Sequence, residues 1–254
     1  MSQKARQDRI CELIARHGEC SIEDLVSQLD VSGMTVRRDL QTLARQGKVI
    51  RTHGGAALAE RVSFEFDFLK RVKEHETAKE AIAVAAATRV EDGQSVMLDS
   101  GTTTLAVAKQ LRGKRGLTVV TTSLPVAAQL QYEPEIKVLL LGGYVQASSP
   151  DLAGALTEAN LETLHADVAF IGVHGIDRRG EVYQESPEVA RMLTKMANAV
   201  DRVFAVADSS KLGRKGLARF GRLQDWAAVI TDAAADRSFL ALLRKAGVRV
   251  IEAK

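Results

Sequence analysis

Two stretches of the chain carry side chains whose types and spacing can do chemistry. In the first, Ser32-Gly33-Met34-Thr35-Val36-Arg37-Arg38-Asp39-Leu40-Gln41, helical spacing turns Val36, Leu40 and Leu43 inward and leaves Thr35, Arg37, Arg38 and Gln41 to solvent. Guanidinium groups neutralise phosphates, while hydroxyl and amide groups read base edges. The second type of stretch recurs further along. Asp99-Ser100-Gly101-Thr102-Thr103-Thr104 sets a carboxylate beside hydroxyls and a glycine, and Asp208-Ser209-Ser210-Lys211 sets one beside a cation. Carboxylates accept from sugar hydroxyls. A glycine that opens a helix lets the backbone approach an anion, and Lys211 supplies counter-charge. Thr122-Ser123, Gly142-Gly143 and Gly175-Ile176-Asp177 are further clusters of the same kind. Loops and helix caps use these residue types too, so each cluster needs a place in the fold.

The elements that must position the first stretch are three short helices and a strand. Ile10, Leu13 and Ile14 recur at helical spacing before Gly18, and Ser21-Ile22-Glu23-Asp24 has the form of a capping box. The apolar stripe Ile22, Leu25, Val26, Leu29 then runs to Asp30-Val31-Ser32, where Ser32 caps the third helix and Gly47 stops it. Lys48-Val49-Ile50-Arg51-Thr52-His53-Gly54-Gly55-Ala56 alternates and ends on a double glycine, as a basic β-wing would. Arg51 is a candidate DNA contact on it, and His53 either meets phosphate at the wing tip or stabilises the turn. Asp39, which would repel phosphate, is expected to pair with Arg37 or Arg38 or to bond within its own helix. Charge follows this division. Residues 1–30 hold four basic against six acidic side chains, and residues 31–53 hold five basic against one acidic. Positive charge is therefore focused where a polyanion would meet it.

The second set of clusters falls at the ends of short apolar runs. Ser95–Leu98 leads to Asp99, Leu117–Val120 to Thr121-Thr122-Ser123, and Val138–Leu141 to Gly142-Gly143. Val168–Ile171 leads to Gly172, Val203–Val206 to Ala207-Asp208, and Trp226–Ile230 to Thr231-Asp232. Helical stretches such as 78–88 and 105–111 lie between. This alternation predicts a mostly parallel sheet covered by helices, with ligands beyond the carboxyl ends of its strands. The expected organisation is α/β overall. Residues 1–57 form a winged helix-turn-helix, 58–74 a linker and 75–254 an effector and oligomerisation domain. Phe64, Phe66 and Phe68 in the linker argue against a free tether: they dock it on the second domain or on a partner subunit, or they form a short edge strand.

Composition narrows the class. At 254 residues, with 46% hydrophobic and 26% charged side chains, the chain reads as globular. No apolar run reaches the roughly 20 residues of a membrane span. The start Met1-Ser2-Gln3-Lys4 has no apolar stretch behind its charges, so the expected location is the cytoplasm, away from membranes. Cys11 and Cys20 read as packing residues, with no metal site. Neither a G-x-G nor a phosphate-loop motif occurs, and no cofactor and no catalytic residue is expected.

Val31-Ser32-Gly33-Met34-Thr35-Val36-Arg37-Arg38-Asp39-Leu40, followed by Arg51-Thr52-His53-Gly54-Gly55-Ala56, resembles the DeoR family of bacterial transcription regulators. Asp99-x-Gly101-Thr102-Thr103, Gly142-Gly143, Gly154, Gly172-x-x-Gly175-Ile176-Asp177, Glu188 and Ala207-Asp208-Ser209-Ser210-Lys211 resemble its effector domain in order and approximate spacing. Together the resemblance covers nearly the whole chain. It implies a sensor fold similar to ribose 5-phosphate isomerase that binds sugar phosphates without transforming them. It also implies a regulator, in most cases a repressor, of carbohydrate metabolism that a phosphorylated sugar releases from double-stranded operator DNA. Glu188 joins the effector candidates on this ground. Arg191 stands where the family commonly has lysine, and Ser186-Pro187 precede the glutamate. One short helix and a wing select a genomic site only in multiples, so a homo-oligomer, dimer or tetramer, is expected. The rival reading is a sugar-phosphate isomerase with an appended DNA-binding module. It would draw its acid and base from Asp99, Asp177, Glu188 or Lys211.

Overall fold

The computed structural model describes residues 1–52, 54–59, 68–146 and 149–254. The chain divides into two compact units, a smaller one built on Met1–Lys70 and a larger one holding Arg71–Gln146 and Pro150–Lys254. No helix among the described residues is long and apolar enough to cross a membrane.

The smaller unit opens with α1 (Gln3–His17), capped by Ser2 and ended at Gly18. Strand β1 (Glu19–Ser21) leads straight into α2 (Ile22–Leu29), where both bonds of the capping box between Ser21 and Asp24 are made. Asp30, in the left-handed region at φ 51°, turns the chain toward α3 (Gly33–Arg45), and Ser32 accepts from the Thr35 amide at 3.2 Å to cap it. Ile10, Ile14, Leu25, Val36, Leu40 and Leu43 are fully buried in a common core with Cys11 and Cys20. Each such aliphatic side chain contributes about 1.5–3 kcal/mol of transfer free energy. β2 (Val49–Thr52) and β3 (Gly55–Leu58) form an antiparallel hairpin that pairs Thr52 with Gly55, and β3 also pairs with β1.

Asp39 departs from expectation. Its place among arginines pointed to a bond with Arg37 or Arg38, or to one within its own helix. Instead it is buried and accepts from Arg6 Nε at 2.6 Å and Gln7 Nε2 at 3.1 Å, both on α1. A carboxylate on the inner face of α3 meets α1 before it meets solvent, and that pairing ties the two helices together.

The larger unit is an α/β layer structure. Its helices are α4 (Glu76–Ala87), α5 (Thr102–Gln110), α6 (Leu124–Leu130), α7 (Ala155–Thr163), α8 (Pro187–Asn198) and α9 (Arg237–Lys245). Its main sheet contains β4 (Ser95–Leu98), β5 (Leu117–Thr121), β6 (Ile136–Leu140), β9 (Ala166–Gly172), β12 (Val200–Val206), β14 (Ala228–Asp232) and β15 (Val250–Ala253). These seven strands, in the order β15-β14-β12-β9-β4-β5-β6, are parallel throughout. All six apolar runs read from the sequence become strands of this sheet. Phe170 and Phe204, paired in register on β9 and β12, stack at 5.5 Å between ring centroids.

Two small antiparallel additions flank the parallel strands in sequence. β7 (Tyr144–Val145) pairs with β8 (Leu152–Ala153), and β10 (Gly175–Ile176), β11 (Glu181–Gln184) and β13 (Ala218–Arg222) form a three-stranded sheet. Of the linker phenylalanines, Phe64 and Phe66 lie outside the described residues. Phe68 is buried at the head of a helical stretch over residues 68–73.

Candidate functional site

In the smaller unit, α3 presents Arg37, Arg38, Gln41 and Arg45 to solvent. Asp39 is taken by Arg6, so its carboxylate is turned away from the two guanidinium groups that flank it in sequence. Ser32 and Thr35 are turned toward each other, hydroxyl to hydroxyl at 2.9 Å, at the start of the helix. Ser32 is thus first a cap, and Thr35 is half-buried beside it. Arg51 is exposed on β2 opposite Ala56, while His53 lies outside the described residues. The two glycines of the wing have different jobs. Gly54 adopts φ 99° with open space around it, and a Cβ on Gly55 would lie 2.2 Å from the Cys20 carbonyl oxygen. One supplies the turn and the other the close approach of β3 to β1. The Ile22 amide donates to the Gly54 carbonyl at 2.9 Å, which binds the wing to the head of α2. The result is a basic helix and a basic hairpin braced on one small core, the arrangement that inserts a helix into the major groove.

In the larger unit the strand order reverses between β4 and β9. From β4 the chain builds outward through β5 to β6, then returns on the other side with β9 and builds outward to β15. Such a reversal leaves a crevice at the carboxyl ends of the two strands, and of the candidate residues Asp99, Gly101 and Thr102–Thr104 follow directly on the end of β4. Asp99, just past β4, is buried and accepts from the Gly172 amide at the end of β9 at 2.7 Å. Burial raises its carboxyl to about 6, with the Gly172 bond opposing the rise and the neighbouring Asp151 adding to it. Ser100 donates to Asp151 at 2.7 Å.

Gly101 is the N-cap residue of α5 and no side chain caps that helix, so its first amides are left for another acceptor. The helix begins at Thr102, earlier than the periodicity indicates, and this changes the three threonines. Thr102 is half-buried, whereas Thr103 and Thr104 are buried. Thr104 Oγ1 donates to the carbonyls of Asp99 at 2.8 Å and Gly101 at 2.7 Å.

The loop after β12 stands two strands from β4, beyond β9. There Asp208 caps the turn Ser209–Lys211, accepting from the Ser210 amide at 3.0 Å and from its hydroxyl. Asp232 at the end of β14 accepts from the Ser209 amide at 2.6 Å. An open groove of about 300 Å³ runs along Ser209, Ser210, Leu212, Ala234, Asp236 and Phe239.

Other candidates have partners of their own. Thr122 is fully buried with its hydroxyl unpaired, and Ser123 caps α6 through the Val126 amide at 3.3 Å. Gly142 bonds α7 twice, its amide to Asn160 Oδ1 at 3.0 Å and its carbonyl from Thr157 Oγ1 at 2.6 Å, and Gly143 packs against Thr157 and Ala153. Gly175 packs against the Arg214 backbone. Asp177 accepts from the Arg179 and Glu181 amides at 2.9 and 3.1 Å, which closes the hairpin between β10 and β11. Glu188 is exposed on the first turn of α8 and accepts from Tyr144 at 3.2 Å, while Arg191 is bridged to Glu158 at 2.9 Å.

One residue at this end of the sheet had no signal in the sequence. Lys79, on the first turn of α4, is only 6% exposed, and its ammonium donates to the carbonyls of Arg71 and of Glu74, the latter at 2.5 Å. Burial pulls it below the ordinary lysine range, Asp208 opposes that shift and Lys211 adds to it. A single lysine in an alanine-rich helix reads as its solvent face, and only the three-dimensional placement shows otherwise.

The chain matches known proteins along most of its length. Residues 6–62 match the DeoR-like helix-turn-helix domain and residues 74–233 the DeoR C terminal sensor domain. Among characterised proteins it is similar to the HTH-type transcriptional regulator GolR of Listeria innocua, with 33% identity over 250 residues and 96% of each chain covered. It is also similar to the glycerol-3-phosphate regulon repressor of Escherichia coli, with 33% identity over 234 residues and 92% of each chain covered. Among solved structures it is similar to ribose 5-phosphate isomerase A of Methanocaldococcus jannaschii, with a TM-score of 0.41 and 16% identity over 54% of this chain and 55% of that one. With a helix-turn-helix and a sensor match in tandem and relatives aligned end to end, the chain belongs to the DeoR family of DNA-binding transcriptional regulators.

Proposed function

We propose that this regulator is a cytoplasmic repressor of a carbohydrate operon, that it acts as a homo-oligomer, and that a phosphorylated sugar or polyol controls its hold on the operator. In this reading Arg37, Arg38 and Gln41 with Arg51 and His53 meet the DNA, and Ser32 and Thr35 fix the start of the recognition helix against it. The ligand occupies the crevice where the strand order reverses. Its phosphate takes the uncapped amides of α5 at Thr102–Thr104, with Lys211 as counter-charge, and its hydroxyls reach Asp99 and Asp208. The observation that carries the reading is the uncapped N-terminus of α5 directly beside the buried Asp99.

The names of relatives support the ligand class. One is the repressor of a glycerol-3-phosphate regulon and another the lactose phosphotransferase system repressor of Lactococcus lactis. Two of the four acid–base candidates of an isomerase have structural work of their own, which favours binding over turnover. Asp177 is committed to a hairpin turn and Glu188 to Tyr144 at an exposed helix start.

Fluorescence anisotropy with DNA from upstream of the gene and its neighbours, at two salt concentrations and against a panel of sugar and polyol phosphates, tests the proposal. Selective, salt-sensitive binding that one phosphate shifts is the expected outcome. The double variant Asp99→Ala, Lys211→Ala should bind the same DNA and ignore the same phosphate. A full response in that variant places the ligand elsewhere, and turnover of ribose 5-phosphate by the wild type overturns the non-catalytic reading.

A further inference from the structure

The ammonium of Lys79 has three protons to donate and nothing to accept. Two of its donors are held by the carbonyls of Arg71 and Glu74. These carbonyls close the helical stretch over residues 68–73 and the turn after it, where backbone dipoles leave partial negative charge. α4 packs on β12, β14 and β15. Because it runs back into the parallel strand β4, its first turn stands at the carboxyl ends of those strands, where Asp208 and Lys211 follow β12. The charges of both bear on the Lys79 ammonium. Asp208 already accepts from the amide and hydroxyl of Ser210, and Lys211 repels Lys79. One buried cation is therefore shared between the candidate ligand loop and the stretch through which the backbone enters the sensor unit. Neutral carbonyls are weak partners for a desolvated cation, and a phosphate dianion is a strong one.

We propose that Lys79 is the positioning residue that couples ligand to linker: an anion bound beside Lys211 draws the Lys79 ammonium off the carbonyls of Arg71 and Glu74 and loosens the backbone of residues 71–74. The inference rests on the ligand site proposed above and adds to it the route by which occupancy changes the chain outside the site. A ligand shifts an equilibrium only through an interaction it makes in one state and not the other, and the exchange of partners at Lys79 is such an interaction. In the empty site the ammonium holds the entering backbone. In the occupied site it holds the ligand.

Hydrogen exchange on the full chain, with inorganic phosphate as probe and chloride at equal ionic strength as blank, separates this coupling from the site itself. In the wild type, phosphate is expected to slow the amides of Thr102–Thr104. It should also speed those of residues 71–75 about tenfold, the scale set by losing a charge-assisted bond. In Lys79→Met the amides of residues 71–75 should exchange fast without phosphate and stay unchanged on adding it, while Thr102–Thr104 are still slowed. Lys79→Arg, which keeps the cation, should restore the phosphate dependence. Slowing at Thr102–Thr104 with no change at residues 71–75 in the wild type overturns the coupling and leaves the site standing. No slowing at Thr102–Thr104 removes the site and the coupling with it. Both decisions rest on the wild type alone, so they survive a Lys79→Met variant that does not fold.

Discussion

Asp99 is a carboxyl held away from water beside the Gly172 amide, and its titration follows from that burial. Because burial lifts it from 3.8 to about 6, the folded protein prefers the protonated acid. That preference contributes stability fully below about pH 4 and loses it as the pH rises through about 6. Asp99→Asn, a standing copy of the protonated acid, should therefore exceed the wild type by roughly 1–3 kcal/mol near pH 8 and approach it near pH 4. Urea denaturation at the two pH values measures the gap, and a gap of equal size at both would mean the carboxyl is not strained by burial. Residues of this kind are only partly legible in a sequence. Asp99 was marked by its place after an apolar run. The hydroxyl of Thr104 had the same mark, yet it is spent on its own loop. Asp39 was read against the wrong arginines because a sequence shows neighbours along α3 and not the helix lying across it.

At the scale of elements, the wing and the recognition helix make separable predictions. Gly54→Ala meets open space at φ 99° and should cost about 1–2 kcal/mol of backbone strain. Gly55→Ala puts a methyl 2.2 Å from the Cys20 carbonyl oxygen, so β3 must leave β1, at a cost of about 3 kcal/mol or more. Thermal melts of the two variants should rank in that order, and comparable losses would contradict the close approach. Arg37→Ala and Arg38→Ala, on an exposed face, should leave the melt within about 0.5 kcal/mol of the wild type. Each should lower the slope of log affinity against log salt by about 1 if it meets phosphate. An unchanged slope would remove that arginine from the interface. The helices and caps of the smaller unit and six of the seven parallel strands were legible because each has a period, a cap residue or an apolar run, whereas β15 and the later helices of the larger unit were not read individually. The hairpin of β7 with β8 and the sheet of β10, β11 and β13 were not legible. Two to five residues with mixed polarity have no period to detect, and pairing across the chain makes them strands.

At the scale of the molecule, a local unit precedes one dominated by distant pairings. The smaller unit closes over neighbouring helices and a hairpin, so its order of elements was readable almost without topology. The larger one joins β4 to β9, pairing Val96 with Val168, and the Asp99 carboxylate reaches the Gly172 amide across 73 positions. That seam has a consequence in time. Contacts that span so much chain form late, because loop closure must come before they repay it. The crevice beside Asp99 therefore does not exist until the sheet is nearly whole. A ligand that binds there finds nothing to hold in the transition state for folding, so it should leave the refolding rate of the larger unit unchanged and slow its unfolding in proportion to occupancy. Stopped-flow refolding and unfolding in urea, with and without a phosphate that binds, would show a shift in one limb of the kinetic plot alone. A shift in the refolding limb would mean that the two halves of the sheet meet early.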